Sequence, residues 1–141
     1  MKWTHYLWTN DKNLIPSTIA LFESAGVIVR NIHELNFDER TLEMEAAFYK
    51  AEQTGQIADM YRLVILREYG GVYMDVDFKF SEWDLNAHYY PNFFTYANHV
   101  MGQFYHLGND LLHVSPHHPV IEAAYETLLS EYFAEGYDAP L

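Results

Sequence analysis

Cysteine is absent from the chain, which removes disulfides, thiol catalysis and thiolate zinc sites together and fits a reducing compartment. Basic residues are scarce. Eight Lys and Arg stand against 20 Asp and Glu, a formal net charge of −12, so the surface repels phosphate backbones and anionic lipid heads unless a cation intervenes. Nucleic acid is therefore not an expected partner. No apolar run reaches the length of about 18 residues that a membrane helix needs, so no transmembrane segment is expected. The first residues, MKWTHYLWTNDKN, lack the apolar core of a secretion signal, and a cytoplasmic location is expected. There is no G-x-G-x-x-G, no G-K-[ST], and no Ser, His and Asp arrangement that stands out.

What the chain does have is length for one ordinary domain, 141 residues, and many rings: 12 Tyr, 9 Phe and 3 Trp. Trp3 to Trp8 reads as a first strand ended by the turn-forming Thr9-Asn10-Asp11. Pro16 and Gly26 bracket a helix, and Val27 to Ile32 is a short apolar run. Such a strand, helix, strand unit places its two strands parallel. Asp38 is positioned to cap a second helix to about Glu52, with Leu42, Ala46 and Tyr49 on one face and Gly55 ending it. A third, largely buried helix is expected from Ile57 to Tyr69, then a strand through VYMDVDF after Gly70-Gly71. Strands near Phe93 to Asn98 and Leu111 to Ser115 and a last helix from Pro119 to Ala134 complete an α/β chain with a mixed or parallel sheet.

The stretch GGVYMDVDF sets two carboxylates one residue apart in an apolar strand. The β period puts Asp75 and Asp77 on one side with Tyr73, about 6 to 7 Å apart in an ideal strand. Three resolutions of their repulsion are open: a shared proton, exposure to water at a strand end, or a bound cation. A cation would call for hard oxygen ligands, which suits Mg2+ or Mn2+ shared with a diphosphate. Upstream, Asp59 and Arg62 are helix neighbours. They form either an internal salt bridge or a pair reaching into a crevice, where Arg62 offers a planar fork and Asp59 accepts from hydroxyls. The adjacent His117 and His118 match no metal-binding spacing, while His106 and His113 are candidates for the crevice. Trp3, Trp83 and the rings of YYPNFFTYAN read as packing, and Glu23, Glu43 and Glu45 as solvated helix faces. A metal-dependent phosphohydrolase is one reading of the carboxylates.

The run AEQTGQIADMYRLVILREYGGVYMDVDF resembles the central signature of glycosyltransferases with a DXD motif, the family of capsular-polysaccharide and mannosyl transferases, similar to the large clostridial glucosylating toxins. Their pattern is roughly A-x-S-D-x-x-R-x-x-x-L-x-x-x-G-G-x-Y-x-D-x-D. Here Ala58 replaces the serine, and Asp59, Arg62, Leu66, Gly70, Gly71, Tyr73, Asp75 and Asp77 follow at that spacing. The resemblance implies a GT-A-like, Rossmann-type mixed sheet over residues 1–141. It further implies a nucleotide-diphospho-sugar donor (UDP- or GDP-sugar), a glycan or protein acceptor, and transfer of a hexose to an acceptor hydroxyl with retention, with Mn2+ or Mg2+ as cofactor. By family pattern Asp77 ligates the metal, Asp75 contacts ribose or sugar and metal-bound water, Asp59 and Arg62 hold the donor sugar, and Tyr73 belongs to the same substrate site. HYLWTND resembles the family's first strand, which makes Trp8 the match to a base-stacking tryptophan; without the family, Trp8 reads as strand core. GNDLLHVSPHHPVIEAAYETL is similar to a later family segment and points to Asn109. Relatives are usually longer and carry a mobile C-terminal loop that closes over the diphosphate. The chain here ends at Tyr137-Asp-Ala-Pro-Leu141; the loop is absent, belongs to a longer chain, or is supplied by a partner subunit, each of which implies weaker donor binding or slower turnover, and a catalytically inactive sugar-nucleotide binding module is the alternative.

Overall fold

The structure, a computed structural model, describes residues 3–77, 95, 97–100 and 104–134. Backbone contacts divide the chain into two units, Met1–Asp38 and Glu39–Leu141.

The first unit holds β1 (Tyr6–Thr9), α1 (Pro16–Ser24) and β2 (Ile28–Asn31), followed by a short 3-10 turn at Ile32–Glu34. β1 and β2 pair in parallel, with Trp8 opposite Arg30 and Thr9 opposite Asn31. Proline occupies the start of α1, where its fixed φ suits a helix and its missing N–H costs nothing. The exit from α1 runs through Gly26 at φ +83°. Asn31 caps the 3-10 turn: its side chain accepts from His33 N–H while Glu34 accepts from Asn31 N–H at 2.9 Å. That backbone bond, with the Arg30 side chain beside it, holds the Glu34 carboxyl below its ordinary pKa.

The second unit runs α2 (Glu39–Lys50), α3 (Thr54–Tyr69), β3 (Gly71–Met74), β4 (Ala97–Val100), β5 (Phe104–Leu107), β6 (Leu111–Val114) and α4 (Pro119–Ala134). β3 and β6 are antiparallel, Gly71 opposite Val114 and Met74 opposite Leu111; β4 and β5 are antiparallel as well. Helices α2, α3 and α4 pack on one another. Leu66 of α3, Leu112 and Val114 of β6 and Ile121 of α4 form one buried cluster, against which Leu63 and the Tyr73 ring lie. Burial of such side chains supplies about 1.5–3 kcal/mol each, and this cluster fixes α3 against the β3–β6 ladder.

Among the described residues the fold is a mixed α/β arrangement of four helices and small sheets. Among the described residues the strands pair two by two. The parallel β1–β2 pair and α4 appear as the sequence predicts, and α3 buries Ile57, Met60, Val64, Ile65 and Leu66.

Four expectations are corrected. Gly55 does not end α2: it lies in the first turn of α3, which begins three residues earlier than expected, at Thr54. The face of α2 that is buried carries Thr41, Met44, Glu45 and Phe48, while Leu42 and Tyr49 are 46% and 42% exposed. Glu45 is consequently no solvated side chain. Thr41 bonds the Tyr125 hydroxyl of α4, and Glu45 accepts from Tyr61 of α3, so polar contacts between helices rotate α2 away from the face its apolar residues suggest. The strand after Gly71 stops at Met74, and the alternation expected to align Asp75 with Asp77 ends before either aspartate. The expected strand start at Phe93, the end of the VYMDVDF strand at Phe78, the Trp83 side chain and the His106 side chain lie outside the described residues.

Candidate functional site

Two consecutive glycines create the turn that aims the acidic segment. Gly70 caps α3 at φ +61°, ψ −151°, its N–H bonding Leu66 O, and Gly71 follows at φ +88°. Both values lie in the region that side chains disfavour. A Cβ on Gly70 would sit 2.5 Å from Pro116 Cδ and N, so the helix end and the loop after β6 meet at a distance that only glycine permits. The chain then runs four residues as β3 and emerges at Asp75, whose N–H is tied to Asp110 O at 2.9 Å.

Three segments converge at this point. From α3 comes Arg62, buried with 7% of its side chain exposed. Its Nη2 lies 3.0 Å from Asp59 Oδ1 and 3.5 Å from Asp75 Oδ1. Its Nη1 donates to the main-chain oxygen of Asn109, in the loop between β5 and β6. The guanidinium also lies over the Tyr73 ring, 4.9 Å from its centroid. Asp59 Oδ1 receives a second bond from Asn109 Nδ2 at 2.9 Å, and Asp75 Oδ1 receives one from the Tyr73 hydroxyl at 2.8 Å. Burial first, and then that bond to Asp75, push the Tyr73 phenol above its ordinary pKa, against the opposing pull of Arg62. The phenol is therefore a proton donor throughout the neutral range.

Asp59, Arg62, Tyr73, Asp75 and Asn109 thus form one connected network. Of the two readings of Asp59 and Arg62, the internal salt bridge is present, and it extends to Asp75. Part of the like-charge problem posed by the acidic strand is answered internally, because Asp59 and Asp75 share one arginine. Their outer faces stay available: 48% of the Asp59 side chain and 34% of Asp75 are exposed. Asp77 lies two residues further on, in a turn, and is exposed.

Trp8 belongs to the first unit, in β1, half-buried, with the Arg30 guanidinium 5.3 Å from its ring centroid. His113 is buried in β6, and His117 is exposed and bonded to Glu122 of α4. Among the described residues no three His, Asp or Glu side chains gather as a metal cluster. Sequence reasoning missed the main-chain oxygens of Asn109 and Asp110, which hold Arg62 and Asp75; backbone acceptors leave no trace in residue identity. It also missed the chain of Tyr49, Tyr61 and Glu45. The pairing of a carboxylate on α2 with a tyrosine on α3 was its one available signal.

The chain matches a family model described as "Glycosyltransferase sugar-binding region containing DXD motif" over residues 1–93. No curated protein and no solved structure matches it significantly.

Proposed function

The chain belongs to the family of glycosyltransferase sugar-binding regions containing a DXD motif, and from that premise we propose that it transfers a hexose from a nucleotide-diphospho-sugar to an acceptor hydroxyl. The observation that carries this reading is the network itself. Residues from α3, the end of β3 and the loop before β6 are drawn together around Arg62, leaving the partly exposed carboxylates of Asp59 and Asp75 at its rim.

Asp75 and the exposed Asp77 offer hard oxygen donors, which fits Mg2+ or Mn2+, since such ions are commonly held by one or two carboxylates with phosphate oxygens and water completing the shell. When bound there, the ion would act as a Lewis acid for the departing diphosphate. Such an ion would also reconcile the net charge of −12 with an anionic donor.

The chain's own residues bind and orient. Asp59 and Asn109 present a carboxylate and an amide to sugar hydroxyls, and the resulting fixed orientation lowers the entropy cost of the reacting geometry. Asp75, held by Tyr73 and Arg62, faces the ribose and diphosphate side. The bond from the anomeric carbon to the diphosphate oxygen breaks with its electron pair leaving on the diphosphate. The acceptor oxygen bonds that carbon on the same face, and its proton passes to the departing diphosphate. Configuration is retained, and no side chain serves as a nucleophile.

The test incubates the protein with Mn2+ and each of UDP-glucose, UDP-galactose, UDP-N-acetylglucosamine and GDP-mannose, reading nucleoside diphosphate release to water or to added oligosaccharide. Release from one donor, abolished by chelation, is the expected result. Phosphate release from simple esters that nucleotide sugars do not inhibit would point to a phosphohydrolase, and binding without turnover to an inactive module.

A further inference from the structure

Among the described residues Arg62 is ion-paired to both Asp59 and Asp75, and the contacts its guanidinium makes lie inside the protein. A guanidinium has five N–H donors. Nε faces Ala58 O at 3.5 Å, Nη1 donates to Asn109 O at 2.5 Å, and Nη2 is divided between Asp59 at 3.0 Å and Asp75 at 3.5 Å. One face is covered by the Tyr73 ring, and only 7% of the side chain is exposed. The groups that point outward are those it holds: Asp59, Asp75 and the exposed Asn109.

We propose that Arg62 is a positioning residue rather than a ligand of the donor sugar: it locks Asp59, Asp75 and Asn109 into one arrangement, and those three side chains make the contacts. Tyr73 is its brace, fixing Asp75 Oδ1 by its hydroxyl and the guanidinium plane by its ring. This rests on the donor-binding reading above and specifies how the site is built. The chemistry favours arginine for the task. Two carboxylates and a main-chain carbonyl converge on it from segments up to 47 positions apart, and they would repel one another without a cation between them. A planar fork satisfies all three at once, where a lysine ammonium is a point charge on a flexible stem.

The experiment compares wild type with Arg62→Lys and Tyr73→Phe in two readouts. In the first, the Arg62 Nη–H resonances of the nucleotide-free protein are recorded by NMR; a locked guanidinium gives resolved, slowly exchanging signals, and a rotationally averaged set overturns the proposal. In the second, calorimetry with Mn2+ measures the affinity of UDP, GDP, UDP-glucose and GDP-mannose, with stoichiometry read separately so that a misfolded fraction is not mistaken for weak binding. Arg62→Lys is expected to weaken the sugar-free nucleotide itself, on the order of 10- to 100-fold, as loss of a supporting group does at metal sites. An unchanged nucleoside diphosphate affinity, with loss confined to the sugar-bearing donor, makes Arg62 a sugar ligand and overturns the proposal while leaving the donor reading intact. If Arg62→Lys does not fold, Tyr73→Phe decides: weaker nucleoside diphosphate binding supports the brace, and unchanged binding overturns it. A wild type that binds no nucleotide defeats the donor reading and the role given to Arg62 together, even with resolved signals.

Discussion

Replacing Gly70 by alanine tests the turn on which the site depends. Two costs follow from the structure. The backbone at φ +61°, ψ −151° lies where residues other than glycine are strained by about 1–3 kcal/mol. The added Cβ would also approach Pro116 Cδ and N to 2.5 Å and Ser115 C to 2.8 Å. Two of those three neighbours are main-chain atoms, so relief requires moving the connection between β6 and α4, at roughly 1–3 kcal/mol for an overpacked contact. The sum is about 2–6 kcal/mol, a large part of the 5–15 kcal/mol typical of a whole domain. Gly71 is the internal control: its φ is +88°, but nothing lies within 4 Å of its Cβ position, so Gly71→Ala bears only the backbone cost of about 1–3 kcal/mol. Urea unfolding followed by circular dichroism measures both variants. Gly70→Ala should lose the more, by about 1–3 kcal/mol, which at roughly 3 °C per kcal/mol for a chain of this size also separates the melting points. Equal losses would refute the claimed clash and with it the tight junction between the end of α3 and the loop after β6.

Asp77→Asn should abolish manganese-dependent donor binding in calorimetry while moving stability by no more than about 0.5 kcal/mol, because the residue is exposed; loss of folding would instead mark a structural role. Leu129→Ala, at a position with 0% exposure in α4, should cost about 2–5 kcal/mol in denaturant unfolding, and a loss below 1 kcal/mol would contradict the packing described for the helices. The Tyr61 and Tyr73 phenols are both raised above their ordinary pKa of 10.0, each chiefly by burial and then by a bond to a carboxylate. Folding thus favours their protonated forms: the stability they confer is complete below pH 10 and is lost as pH climbs from there toward the folded values. Ultraviolet titration at alkaline pH should show late-ionising tyrosines, one of them removed by Tyr61→Phe and another by Tyr73→Phe, and a titration that neither substitution changes would contradict the network.

Local signals carried the helices well where one force dominated. Pro119 and the apolar spacing that follows set α4, and the near-continuous apolar surface of α3 identified it as buried. The polar Arg62 inside that surface was visible as an exception, and the family resemblance brought Asp59, Tyr73, Asp75 and Asn109 to the same place by residue identity. Periodicity misled on α2, where the buried side includes Thr41 and Glu45 because partners on α4 and α3 reach for them; those partners lie 84 and 16 positions away, beyond any local window. It misled again at Met74, since the strand ends where its ladder partner β6 begins at Leu111, and nothing in VYMDVDF marks that point. What Arg62 does was illegible for a related reason: a buried arginine's partners include main-chain oxygens, which every residue possesses.

The most direct measurement is a calorimetric titration of UDP- and GDP-hexoses into the protein with Mn2+ and again after chelation. Binding of one donor with the ion, lost without it and lost in Asp77→Asn, is the predicted result. Equal binding in both conditions, or no binding in either, would contradict a cation joining the acidic pair to a diphosphate.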